Sequence, residues 1–116
     1  MSYVDGFLIP VAKKNVKAYL KMAKLGAKIW HDHGAVAYFE CVGDELSIEG
    51  LPSFAKQINL RPGETVFFSW IVYKSKAHRN RVNALVMKDP RMKMPKKMPF
   101  DFKRMCNGGF KVMVKA

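Results

Sequence analysis

Two carboxylates in this chain stand in aromatic company, Asp5 in "SYVDGFLI" and Glu40 in "AVAYFECVG". Both stretches alternate and carry β-branched and aromatic residues, so both read as strands. Tyr3 and Tyr38 each lie two residues before a carboxylate, which places them on its strand face. Trp70, in "ETVFFSWIVY", is assigned to the same surface. A carboxylate in such a setting must find a cation or hydrogen-bond donors, because burying it unpaired is costly. Arg104 is the base expected to pair with one of them, in an ion pair or hydrogen-bonded network at a dimer contact. The sharper reading makes Tyr3, Asp5, Tyr38, Glu40, Trp70 and Arg104 the lining of a ligand cleft. A carboxylate of raised pKa would then act as acid or base. The residue types leave binding and catalysis both open.

Other chemistry finds less support. His31 and His33 in "HDH" are two apart on a predicted helix and do not share a face, and no second ligand pair has suitable spacing, so no metal site is expected. Neither Cys41 nor Cys106 has a neighbouring sign of thiol activation. "CNGGF" lacks the spacing and following helix of a phosphate loop. No cofactor is implied. Lys13, Lys17, Lys21, Lys24 and Lys28 step by three or four along a predicted helix. With Arg91, Lys96 and Lys97 they form the alternative reading, a nucleic-acid surface. A lysine stripe without arginine forks or interleaved aromatics is more simply a solvated face, so nucleic acid is the less favoured partner. The segment "DPRMKMPKKMPFDFKRM" is read as a pinned loop bordering the cleft. Met98, Phe100 and Met105 pack, while Lys93, Lys96 and Lys97 face water.

These residues need a scaffold, and the chain can build one. Its 116 residues suit one domain over 1–116. A 49% hydrophobic content argues against disorder even at a net charge of +12. No apolar run approaches the ~20 residues of a membrane span. The N-terminal stretch "MSYVDGFLIPVAKKN" reads as a folded strand and not as a signal peptide. Two cysteines in separate strands read as free thiols in a reducing compartment, so the cytoplasm is the expected location.

The elements follow from periodicity. A strand over 2–9 is closed by Pro10. Val16, Leu20, Ala23, Ala27 and Trp30 then mark an amphipathic helix that Gly34 stops. A strand over 35–43 precedes an irregular stretch, 44–63, with one helical turn near "LPSFAKQIN". The clearest strand is 64–73. Ser75 is placed to cap a helix running to about Lys88, with Ala77, Val82, Leu85 and Val86 as its apolar contacts. A final strand fits 103–114, where Gly108-Gly109 marks a bulge or a close backbone approach. The order is β-α-β-β-α-β, the ferredoxin-like pattern of an α+β domain: a four-stranded antiparallel sheet, first and third strands central, two helices on one face.

Both sides of the third strand are apolar, yet two helices cover only one sheet face. The sides with smaller residues, Gly6, Ala37, Cys41 and Ser69, are assigned to the helices. The aromatic sides, with both carboxylates, are then left for a second copy to cover. Leaving large side chains wet forfeits roughly 1.5–3 kcal/mol each. A homodimer packed sheet on sheet is therefore expected, with an unknown small molecule between the sheet faces.

The stretches "YVDGF", "ECVGDE", "FSWIVYKSKAHRN", "KDPRM" and "MPFDFKRMCNGGF" resemble, in order, those of the bacterial YbaA-like family. The likeness covers nearly the whole chain. Tyr3, Asp5, Glu40, Trp70 and Arg104 fall on its motif positions. The resemblance implies a dimeric α/β barrel and brings no established reaction, so no catalytic role carries over. Family members are commonly more acidic, which makes the positive excess a property of this chain. Cofactor-free oxygenation or isomerisation enters only by analogy with the wider superfamily.

Overall fold

The computed structural model describes residues 2–93 and 95–116. Four strands alternate with helices: β1 (Tyr3–Ala12), α1 (Val16–Asp32), β2 (Ala37–Val42), the single-turn α2 (Phe54–Gln57), β3 (Glu64–Tyr73), α3 (Lys76–Lys88) and β4 (Cys106–Lys111). The strands form one antiparallel sheet in the order β2-β3-β1-β4. The first and third strands are thus central, and Cys41 and Cys106 lie on opposite edges.

β1 does not end at Pro10. It pairs with β3 from Tyr3↔Tyr73 to Ala12↔Glu64, with Pro10 opposite Val66. Pairing with β4 has already stopped at Leu8↔Cys106. The proline therefore sits where β1 has an open edge, the place a sheet tolerates a residue without an N–H. The stop expected at Gly34 is present, with that glycine at φ +106 just beyond α1. Ser75 caps α3, its Oγ accepting from the His78 N–H at 3.0 Å.

Register decides which side chains the helices cover. Asp5 is opposite Ile71, and Glu40 opposite Ser69. Tyr3, Asp5, Ile9, Phe67, Ser69, Ile71 and Tyr73 are buried beneath the helices. Trp70, opposite Gly6 and Phe39, belongs to the other side. The assignment by side-chain size is therefore reversed for β1 and β2. Large side chains are needed on the covered face because a helix layer stands about 10 Å from a sheet, and small residues leave that space unfilled.

Under the helices the core divides into two clusters. One gathers Ile29, Ala35, Ile71, Tyr73, Val82 and Val86. The other gathers Ile9, Val11, Tyr19, Ala23 and Phe67. Phe7 packs against both. In α3 only Val82 and Val86 of the four expected contacts are buried, and Ala77 and Leu85 face outward. The stripe lysines are exposed throughout, Lys13 in the 3-10 turn before α1 and the others on α1.

The other face carries an uncovered aromatic row. Phe39 stacks on Trp70 at 4.9 Å between ring centroids, and Phe68 meets Trp70 edge-on at 5.3 Å. The Phe110 ring lies over Gly6 and Gly108. Phe39, Phe68 and Phe110 are 47%, 45% and 62% exposed, too much for one chain to leave wet without cost. The 44–63 stretch reaches only one end, through Phe54 against Phe68. No described helix is long and apolar enough to cross a membrane.

The two glycines of β4 differ in kind. The β1–β4 register runs without a bulge. A Cβ at Gly109 would collide with the buried Tyr3 ring, whereas one at Gly108 would make ordinary contact with Phe110 at 3.6 Å. Gly109→Ala is expected to lower stability by about 1–3 kcal/mol, as overpacking does. Gly108→Ala should change it by no more than about 0.5 kcal/mol. Urea unfolding of both variants checks the contrast, and equal losses would remove the close-approach explanation.

Candidate functional site

The division of the core leaves a cavity of about 580 Å³ between sheet and helices. Its floor includes Asp5, Phe7, Glu40 and Ser69 from the sheet. Its walls come from α1, from α3 and from the 91–105 segment. Among the described residues, five methionines (Met22, Met87, Met92, Met98 and Met105) line it, supplying soft and conformationally adaptable surface. The volume falls within the range of small-molecule sites, as does the pattern of apolar walls with few polar groups.

Two polar stations stand on the floor. At the first, Arg79 Nη1 donates to Asp5 Oδ1 at 2.7 Å, and its guanidinium lies 4.9 Å from the centre of the Tyr3 ring. Asn83 also reaches Asp5 with its side chain. Asn83 Oδ1 accepts from Tyr73 OH and from Trp30 Nε1, each at 3.1 Å. Burial raises the Asp5 pKa, and Arg79 with Asn83 pulls against that rise. The spacing Arg79, Val82, Asn83, Val86 is what brings these groups inward, since it is one face of a helix.

At the second station Glu40 accepts from Tyr19 OH at Oε1, 2.7 Å, and from Tyr38 OH at Oε2, 2.9 Å. Among the described residues no cation pairs with it. Burial raises its pKa, against the pull of the two phenols. The phenols are themselves driven far above their usual range, first by burial and then by the Glu40 charge, so both remain donors. β3 runs between the strands of Asp5 and Glu40, which separates those strands by about 10 Å. The two acids are separate stations and not a proton-sharing dyad.

A third group fixes the wall. Asp89 accepts from the Arg91 backbone and Nε at Oδ1, 2.8 and 3.0 Å, and from Arg91 Nη2 at Oδ2, 2.8 Å. His33 Nε2 lies 2.7 Å from the same Oδ2, and Arg91 Nη1 donates to Asp32 at 2.8 Å. This network holds the Asp89 carboxyl far below the usual carboxylate range, chiefly through Arg91. It ties the ends of α1 and α3 to the start of the 91–105 segment. The pinned loop bordering a cleft is thus observed, with Met98, Phe100 and Met105 partly buried and Lys93, Lys96 and Lys97 exposed.

The six residues of the sequence-derived cleft separate. Asp5, Tyr38 and Glu40 line this cavity, and Tyr3 lies beside it under Arg79. All four are on the helix side, so the pocket is within one chain and not between sheet faces. Trp70 is on the opposite face. Arg104 pairs with neither acid. It binds Glu64 through both guanidinium nitrogens and the Asn59 carbonyl at 3.1 Å, because its 3-10 turn sits beside the start of β3. Arg91 is held by two carboxylates, which removes the guanidinium from the basic surface proposed for nucleic acid. Sequence reasoning missed Arg79, Asn83, Trp30, Ser69 and Tyr19 as site residues. The inward spacing on α3 was the available signal for the first two.

Glu40 makes stability depend on pH in a defined direction. Its folded pKa is raised, so the folded chain holds the Glu40 proton more tightly than the unfolded chain does. The resulting contribution is complete below the unfolded value, about pH 4.3, and is lost as pH rises through the folded value. The stability of the wild type minus that of Glu40→Gln should therefore fall as pH rises above about 4. Urea unfolding across that range measures it, and a difference that grows with pH would contradict the assignment.

Comparison with known proteins adds a lineage. A family described as "Protein of unknown function (DUF1428)" matches residues 2–102. The "Uncharacterized protein YbaA" of Escherichia coli (strain K12) is 38% identical over 115 residues, 98% of each chain. The proteins of that name from Escherichia coli O157:H7 and Shigella flexneri match to the same extent. With a family match over most of its length and YbaA proteins aligned to it nearly end to end, this chain belongs to the DUF1428 family.

Proposed function

We propose that this protein is a cytoplasmic, ferredoxin-like homodimer of the dimeric α/β-barrel kind. In this reading each subunit binds a small molecule in the pocket between its own sheet and helices. The observation that carries the binding reading is the cavity itself, with Glu40 on its floor beyond reach of any described cation. A partly buried carboxylate held only by two phenols is poised to meet a ligand group. It is also the residue through which cofactor-free acid–base chemistry would proceed, since burial raises its pKa. The dimer reading rests on the strand order and on the exposed Phe39, Phe68 and Phe110 around the half-buried Trp70. Covering that row with its symmetry copy removes it from water. Nucleic acid has weaker support: the stripe lysines are solvated, and Lys28 faces Asp32 at 3.7 Å.

The two parts are tested separately. Thermal-shift screening with a metabolite library should yield a ligand that raises the melting temperature. A ligand at about 100 times its Kd adds about 2.7 kcal/mol. Ala23→Phe, which extends a ring from α1 into the cavity, should abolish that shift. A shift that survives it places the ligand elsewhere. Trp70→Lys should convert a dimer to a monomer in sedimentation at micromolar concentration while ligand binding persists. A wild type that sediments as a monomer would end the dimer reading and leave the pocket intact.

A further inference from the structure

The described carboxylates withdrawn from water each have a cation, with one exception. Of the non-exposed carboxylates, Asp5 is paired with Arg79, Asp89 with Arg91 and Glu64 with Arg104. Asp32, on the surface, also takes Arg91. Asp44, Glu45, Glu49 and Asp101 are exposed to water. Glu40 alone among the described acids is both withdrawn from water and without a cation among the described residues. We infer that the pocket takes a lipophilic amine in its ammonium form, an apolar skeleton carrying one positive charge that docks on Glu40. This rests on the pocket being a ligand site, as proposed above.

The acceptor capacity fits. A carboxylate offers about four lone-pair positions. Tyr19 and Tyr38 occupy one on each oxygen. One on each oxygen remains for ammonium N–H groups. The surroundings fit as well. Tyr19, Trp30, Tyr38 and Phe100 line the same cavity. Trp30 and Tyr38 lie 6.1 Å apart between centroids, and Tyr19 and Phe100 5.8 Å. Aromatic rings beside a carboxylate attract an organic cation through their negative faces. The methionine walls accept a skeleton of irregular shape.

An anionic ligand is disfavoured by the same inventory. Arg79 and Arg91, the two guanidiniums at the cavity, are each bound to carboxylates. Lys93 lies at the rim and is exposed. A neutral ligand would leave the Glu40 charge desolvated. The +12 net charge does not oppose a cation inside, because exposed lysines are screened beyond about 8–10 Å. Burial lifts the Glu40 pKa, and a cation placed beside the carboxylate acts in the opposite sense.

Three probes of one skeleton decide the matter: 2-naphthylmethylammonium, 2-naphthylmethanol and 2-naphthoate. Titration calorimetry of the intact protein should rank the ammonium about tenfold or more above the alcohol, with the carboxylate weakest. In Glu40→Gln the ammonium should lose about tenfold in affinity, with the alcohol within about twofold of its wild-type value. The wild-type ranking decides by itself if that variant does not fold. Equal affinities, or an alcohol or carboxylate ahead of the ammonium, overturn the inference and leave the pocket reading standing. Failure of all three to bind the wild type overturns both.

Discussion

A carboxylate beneath a helix layer must be answered from that layer, and this requirement ties the molecule together. Asp5 and Glu40 both point toward the helices. α3 answers the first with Arg79 and Asn83, and α1 answers the second with Tyr19, helped by Tyr38 from β2 itself. The bonds from Arg79 and Tyr19 therefore fix the positions of α3 and α1 over the sheet as well as satisfying a charge. Removing one partner would leave the other buried and unpaired, which costs more than the bond itself contributes.

The same stations explain why a cavity exists there. Polar floor groups do not fill space as leucine or isoleucine would, so the apolar core gathers on either side of them into two clusters joined by Phe7. The 91–105 segment then serves as a wall. It is secured at one end by the Asp89–Arg91–Asp32–His33 network and at the other by Arg104 on Glu64. Between those anchors, methionines and Phe100 lean on the helices. The segment is rich in lysine, but its place in the fold is set by its two arginines, held by Asp32, Asp89 and Glu64, and by its apolar residues. On the far side of the sheet the Phe39–Trp70–Phe68 row has no such cover, and that asymmetry sets a covered, cavity-bearing face against an open aromatic one.

Much of the architecture was legible in the sequence. The change from two-residue to helical periodicity after Lys13, the Ser75 cap and the Gly34 stop are local effects, and local residues report them faithfully. Pro10 misled because its effect depends on which neighbour strand is present, and β4 ends before reaching it. Asp5 and Glu40 stood out as unusual residues, yet their partners did not. Arg104 was the nearest plausible base by residue type, but Arg79, seventy-four positions from Asp5, is the one the fold delivers. The inward face Arg79–Val82–Asn83–Val86 could have been read from spacing. It was obscured because a basic and an amide side chain do not look like core residues.

The sequence by itself determined the elements, their order, and the fact that apolar side chains outnumber the places two helices can cover. Those properties follow from the alternation of strands and the pitch of helices, which are set residue by residue. Only the tertiary structure decided which strand face meets the helices, because alternation yields two faces without saying which is inside. With that choice made, Tyr3, Asp5, Tyr38 and Glu40 went under the helices and Trp70 went to the open side. The pocket moved with them, from a space between two chains to one within a single chain, since a shift of one position in a strand carries its side chain across the sheet.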